Sequence, residues 1–230
     1  MPKCAQCSNV NVPEVADERL QASSRDWFTS RSADMNAIEK RIYELAKPYL
    51  TVRENDLHTR VAFDLALDLL GRVGGNRRVV GPAIILHDVG WFKVPAHLLE
   101  QWRAEAADNE SITRIHEEEG VKIAKGILEE VGYDSSLASE ILRIIDCHDT
   151  GGDPQSVEEG IVRAADVLWR YSKDGFGVMI RVFSSTPVEM LERLESGLDE
   201  WFFIPVSRQL AEDALEEWKR EVAADHPGMD

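Results

Sequence analysis

The chain has 230 residues with 43% apolar side chains, enough for one large domain with a core that needs no disulfide or metal staple. Its 42 acidic against 26 basic residues give a net charge of -16, which argues against a nucleic-acid polymer or an anionic membrane as partner, because both need a basic face. A small anionic substrate stays open, since local cations or bound metal ions outweigh the global field at short range.

In chain order, residues 1–33 are mixed and polar, with Pro2, Pro13 and serine-rich pieces, and predict a flexible arm. The arm has no apolar run of a secretory signal, and no stretch of the chain is long and apolar enough to span a bilayer. Three cysteines, an odd number without a disulfide spacing, suggest a reducing, cytoplasmic setting. Cys4 and Cys7 form a lone Cys-x-x-Cys without a second pair nearby, a weak metal or redox signal whose role stays open.

From residue 34 to 230 the pattern is helical almost throughout. "MNAIEKRIYELAKPYL" puts Ile38, Ile42 and Leu45 on one stripe and stops near Pro48. "ENDLHTRVAFDLALDLLG" carries Leu57, Val61, Leu65 and Leu69 at steps of four and predicts a stop at Gly71. "RRVVGPAIILHDVG" predicts a short, almost wholly apolar helix with Pro82 near its first turn. "SITRIHEEEGVKIAKGILEEVG" follows, with Ser111 as expected cap and Gly132 as expected stop. Helices are then expected from Asp134 to "TGGDP", over "SVEEGIVRAADVLWRYS", over "STPVEMLERLESGL" and over "VSRQLAEDALEEWKREVA". No segment alternates with period two, so the expected class is all-α, one helical bundle with a C-terminal helical extension.

Four of the six histidines lie on or at the ends of these apolar helices: His58, His87, His116 and His148. Asp88 adjoins the second, and Asp166 sits among Ala164, Ala165, Val167 and Leu168, where a carboxylate needs a partner. Any one of these imidazoles alone would be an ordinary core histidine, and an isolated helical aspartate usually caps or pairs. The set is more telling, because successive members are separated by about one helix plus one loop and can meet in a bundle. Four imidazoles and two carboxylates exceed one tetrahedral zinc and suit two divalent metals with Asp88 bridging. One ion would take His58, His87, Asp88 and Asp166, the other Asp88, His116 and His148. A hydroxide held between them would be the nucleophile, with Asp88 as its catalytic support. Imidazole with carboxylate suits iron, manganese, zinc, nickel or cobalt about equally.

In this order the six residues resemble the motif of the HD-domain metal-dependent phosphohydrolase superfamily, over about residues 36–185. "LHDVGWFKVP" is similar to its His-Asp segment and "RIHEEEGVKIAKGIL" to its His-x-x-x-Gly helix. "IDCHDTGG" and "IVRAADVLWRY" are similar to its later His and its Ala-Asp helix. The two middle histidines imply the bimetallic branch. The resemblance implies hydrolysis of a phosphoester or phosphoanhydride, with a nucleotide as expected substrate. The subgroup that opens cyclic di-GMP has Gly-Tyr-Pro after the later histidine and a lysine three residues after the aspartate. Here "DTGGDP" and Trp91 stand there. A minority branch with the same ligands is a mixed-valent di-iron oxygenase, and a non-catalytic metal-dependent ligand sensor is a further alternative.

Arg163 and Arg170 should share a helix face with Asp166, and either could meet a substrate phosphate or pair with a nearby glutamate. Lys93 could reach the cleft mouth or lie in solvent. Glu117 could support His116 or belong to an acidic surface. His97 and His226 lack the apolar context and receive no role; the oligomeric state is open.

Overall fold

The computed structural model describes residues 35–104 and 109–225, so the arm, Cys4, Cys7 and His226 lie outside the described residues. Those described form ten α-helices and no strand. They are α1 (Ala37–Ala46), α2 (Asn55–Val73), α3 (Arg77–Leu86), α4 (Ala96–Ala104) and α5 (Glu110–Glu130). After these come α6 (Ser135–Cys147), α7 (Val157–Leu168), α8 (Lys173–Phe183), α9 (Pro187–Trp201) and α10 (Pro205–Asp225). None of the described helices is long and apolar enough to cross a membrane.

Helix α3 is the axis of the fold. Its residues from Val79 to Leu86 are all buried, as expected of a helix that is apolar on every side. α1, α2, α6 and α7 pack around it with Ile42, Phe63, Leu69, Ile141, Ile145 and Ile161 in the shared core. Pro82 lies in the middle of α3 rather than in its first turn. A proline there leaves the carbonyl four residues back, that of Arg78, without its helical donor. The hydroxyl of Tyr133 donates to that oxygen at 2.6 Å, so the helix can carry the ring.

Other boundaries differ from expectation for local reasons. α2 runs past Gly71 to Val73, because the residue that adopts positive φ (78°) and closes the helix is Gly74. α5 starts at Glu110, one residue before Ser111, since Asn109 is the cap: its side chain accepts from Ile112 N. Two helices were not anticipated. α4 is nine residues long and mostly exposed. α8 carries Gly175 and Gly177 among β-branched residues, and Ser172 caps it by accepting from Gly175 N.

A second apolar cluster of Trp91, Val94, Trp102 and Ile112 joins α4, α5 and the 3₁₀ turn Val89–Lys93 after α3. The C-terminal helices are pinned to the domain through Tyr171. Its hydroxyl donates to Leu194 O at 2.8 Å, and its carbonyl accepts from Trp218 Nε1 at 2.9 Å.

Candidate metal centre

The same device ends two helices. His87 caps the C-terminus of α3 and His148 that of α6, where the last carbonyls have no intrahelical donor. His87 Nδ1 donates to Ile84 O at 2.8 Å and His148 Nδ1 to Ile145 O at 2.9 Å, each three residues back. A carbonyl only accepts, so in the neutral ring each Nε2 carries the lone pair. Each histidine is followed by an aspartate, Asp88 and Asp149, that turns toward the same space.

The other members arrive from the helices packed around these ends. α2 supplies His58 near its start, α5 supplies His116 and α7 supplies Asp166 near its end. The turn after α3 can lie against α5 because residue 90 is glycine. A β-carbon on Gly90 would sit 1.8 Å from His116 O and 2.4 Å from Gly120 N, so no other residue permits this approach.

The structure brings all six expected ligands together. His58 Nε2 and His87 Nε2 lie 3.0 and 3.4 Å from Asp166 Oδ1. Asp88 Oδ1 is 3.8, 3.7 and 3.8 Å from Nε2 of His87, His116 and His148, and Asp88 Oδ2 is 3.5 Å from His58 Nδ1. His116 Nε2 and His148 Nε2 face one another at 3.2 Å. Stacked indoles hold one ring in each half, Trp169 on His58 at 4.6 Å and Trp91 on His116 at 4.1 Å. Trp91 Nε1 also donates to Asp88 Oδ1 at 2.9 Å, and Asn55 Nδ2 to Asp88 O at 3.3 Å.

These residues fit a bound metal. His58 Nε2 and His87 Nε2 are fully buried and have no hydrogen-bond partner, although a carboxylate oxygen is close to both. Buried polar nitrogens left unpaired are costly, and a divalent cation shared with the carboxylate reconciles them. His58, His87 and Asp166 form one set of donor atoms within reach of a single ion, and His87, Asp88 and His148 a second. His116, His148 and Asp149 form a third.

Electrostatics follow from this crowding. Burial pushes the Asp88 carboxyl up, but His87, His148, His58 and Arg53 overcome it and hold it well below the usual carboxylate range. Asp166 is likewise held well below that range by His58 and His87, against the effect of its burial. Burial drives His116 well below the ordinary imidazole value, reinforced by its neighbour His148. His148 goes the other way: burial opposes its charge, but Asp149, Asp88 and Asp166 raise it to about 10.

The expected substrate residues fare differently. The centre opens into a cleft of about 730 Å³ lined by Arg53, Arg163, Arg170, Trp201 and Phe203 among others. Arg170 lies over the Trp201 ring at 5.0 Å. Arg163 lines the cleft but is committed elsewhere, donating to Gly152 O at 2.5 Å and Gly151 O at 3.1 Å and pairing with Glu159. Of its two readings, phosphate ligand or structural pair, these contacts are those of the second. Lys93 is exposed, over the Phe92 ring, and is not among the residues of the cleft. Glu117 does not bond to His116. It is buried beneath the end of α6, where it accepts from Asp149 N, Thr150 N and the Thr150 hydroxyl at 2.9, 3.0 and 2.6 Å.

Two residues of the site were missed. Asp149 lies 3.5 Å from His116 Nε2, and the repeated Ile-x-x-His-Asp of α3 and α6 was the available signal. Arg53 was hidden in a loop. Its guanidinium is clamped between Trp91 at 4.0 Å and Trp102 at 4.3 Å, with NH1 3.9 Å from Asp88 Oδ2. Arg53 and Glu54 both have positive φ, 57° and 59°. Such backbone costs about 1 kcal/mol or more per non-glycine residue, and here it turns Arg53 inward.

A family model described as HD domain matches residues 56–170, half of the chain. A crystal structure of a predicted HD superfamily hydrolase from an uncultured Thermotogales bacterium is similar in fold. Its TM-score is 0.54 at 21% identity, over 81% of this chain and 91% of that one. No curated protein gives a significant match.

Proposed function

The chain belongs to the HD-domain family, and from that premise we propose that it is a metal-dependent phosphohydrolase acting on a small phosphorylated substrate, a nucleotide. The observation that carries this reading is the convergence of His58, His87, Asp88, His116, His148 and Asp166 on one centre, with His58, Asp88, His148 and Asp166 lining the cleft above it. Two divalent ions held there would supply an acidified water as nucleophile and a Lewis acid for the phosphoryl oxygens. Asp88 stands between the two sets, its Oδ1 facing three imidazoles, which supports a role in bridging the two ions. Trp91 and Asn55 fix its side chain and backbone, so its carboxylate is aimed before any substrate arrives.

Features of the cleft support this substrate class. Its volume, about 730 Å³, lies within the usual range for small-molecule sites. Arg53 and Arg170 give it cations close to the acidic floor, to bind phosphate oxygens. Trp201 and Phe203, the latter 41% exposed, give it flat apolar surface for a base. Arg163, bound to the 151–152 backbone, shapes the wall rather than taking the phosphate.

Elemental analysis of the purified chain, followed by phosphate-release assays over a nucleotide panel with each metal added back, tests this reading. His116→Ala should lose about one ion per chain and most of the activity. Retention of both ions by that variant sinks the two-ion assignment. Bound iron with oxygen consumption and no phosphate release would instead select the oxygenase chemistry.

A further inference from the structure

We propose that Asp149 is a seventh protein ligand, completing the outer ion site with His116 and His148, and that a substrate phosphate displaces it. The inference rests on the two-ion reading above and adds to it a ligand and a substrate-triggered exchange.

Three observations carry it. First, the donor atoms are already gathered. Asp149 Oδ2 lies 3.5 Å from His116 Nε2 and 3.8 Å from His148 Nε2, and those two nitrogens are 3.2 Å apart. Two imidazole nitrogens face to face with one carboxylate oxygen are a half-shell for one cation.

Second, the loop that carries Asp149 is held by its backbone, not by its side chain. Glu117 is wholly buried, and its Oε1 accepts from both Asp149 N and Thr150 N. Its Oε2 accepts from the Thr150 hydroxyl and pairs with Arg114 at 2.7 Å, and Arg114 in turn holds the Asp146 carbonyl and carboxylate at the end of α6. A buried carboxylate filled by main-chain donors is an outer support of the kind that orients ligands in metal sites. It leaves the Asp149 side chain free to face the imidazoles.

Third, Asp149 differs from the six other candidates in access. Those are buried, whereas the Asp149 side chain is 27% exposed and lines the cleft. It is therefore the most accessible of the seven donors, the one an incoming phosphate oxygen would meet and replace. One monodentate carboxylate on a hydrogen-bonded loop can swing aside without disturbing the core.

The test uses the full chain and Asp149→Ala, a change at the rim that leaves the folded core intact. Cobalt(II) binding is followed by chelator competition and by its visible absorption, whose intensity reports coordination number. Wild type should take two ions; if it takes one, the two-ion reading itself falls, and this proposal with it, before any variant is compared. In Asp149→Ala the tighter, inner ion should keep its affinity within about twofold, while the outer affinity falls about tenfold or more, as for loss of a coordinating group. At saturating cobalt, inorganic phosphate titrated by calorimetry should bind about fivefold tighter to the variant, because no carboxylate has to leave (each tenfold step is about 1.4 kcal/mol). An unchanged outer-ion affinity overturns the ligand assignment. Unchanged or weaker phosphate binding overturns the displacement. A purely structural Asp149 would weaken both, so the opposite signs are diagnostic.

Discussion

His58, His87 and Asp166 come from α2, α3 and α7 and are all but closed to solvent, whereas His116 and His148 share their space with Asp149, which follows a helix end and opens to the cleft. The two sets use the same kinds of side chain. What differs is the support. The inner set is placed by apolar packing, since α2, α3 and α7 meet one another in the main core. The outer set is placed by a close backbone contact at Gly90 and by the bonds of one buried carboxylate, Glu117. Packing makes a site rigid and insensitive to solvent, while a hydrogen-bonded loop makes one that can rearrange. The inner set is thus the anchor of the centre and the outer set its adjustable side.

The strongest way to break this comparison is at the anchor. Asp166→Asn removes the charge that faces two buried imidazole nitrogens. We expect the inner ion to be lost and the rate to fall on the order of a thousandfold, since metal polarisation contributes several kcal/mol to the transition state. Metal content by elemental analysis should drop from two ions to about one, with the outer ion kept. If both ions leave together, the two halves are one cooperative unit and the distinction between them fails.

Glu117→Gln tests the adjustable side and should have a smaller effect. The amide keeps one acceptor oxygen but replaces the other with a donor, which faces Arg114 and the Thr150 hydroxyl. Replacing such an outer support typically costs ten- to a hundredfold in metal affinity, and we expect that loss in the outer ion alone. A buried donor without an acceptor also costs about 1–3 kcal/mol, visible as a lower unfolding midpoint. Equal loss of both affinities would show that Glu117 supports the fold rather than the outer loop.

How much of this was legible in the sequence follows the same division. His58, His87, Asp88 and Asp166 stand on or at the ends of apolar helices, so their periodic surroundings announced burial and their polarity announced a purpose. His116 and His148 were legible for the same reason. Arg53 and Asp149 were not, because both lie in loops where no periodicity assigns a side chain to a face. Arg53 points inward only through two successive left-handed residues, neither of them glycine, which composition cannot signal. Glu117 stands in "HEEEG", where three acidic residues look alike. The helical phase that buries the first of them could have been read from Ile112, His116 and Gly120, each four residues from the next and all buried, with Glu117 three before Gly120. Pro82 was misplaced because Tyr133, the residue that lets it sit mid-helix, is distant in the chain.

The smallest effect concerns Cys147, which immediately precedes His148 and is the nearest thiol in sequence to the outer set. Its sulfur faces away, donating to Arg143 O at 3.1 Å with Glu159 Oε1 at 3.6 Å. Burial, and then the Glu159 carboxylate, disfavour the thiolate and push the thiol up to about 11. An acid with a raised value keeps its proton, so at pH 8 only on the order of one thiol in a thousand is ionised, against roughly a quarter for a free cysteine. In a chain with Cys4→Ser and Cys7→Ser, iodoacetamide should therefore modify Cys147 on the order of a hundredfold more slowly than a free thiol at pH 8. The rate should rise about tenfold per pH unit up to pH 10, since thiolate is the reactive form. Cys147→Ser should leave the content and affinity of both ions unchanged. A fast reaction at pH 8, slowed when metal is added, would mean that sulfur reaches the outer ion, and the outer set would then differ from the inner one in its chemistry as well as in its support.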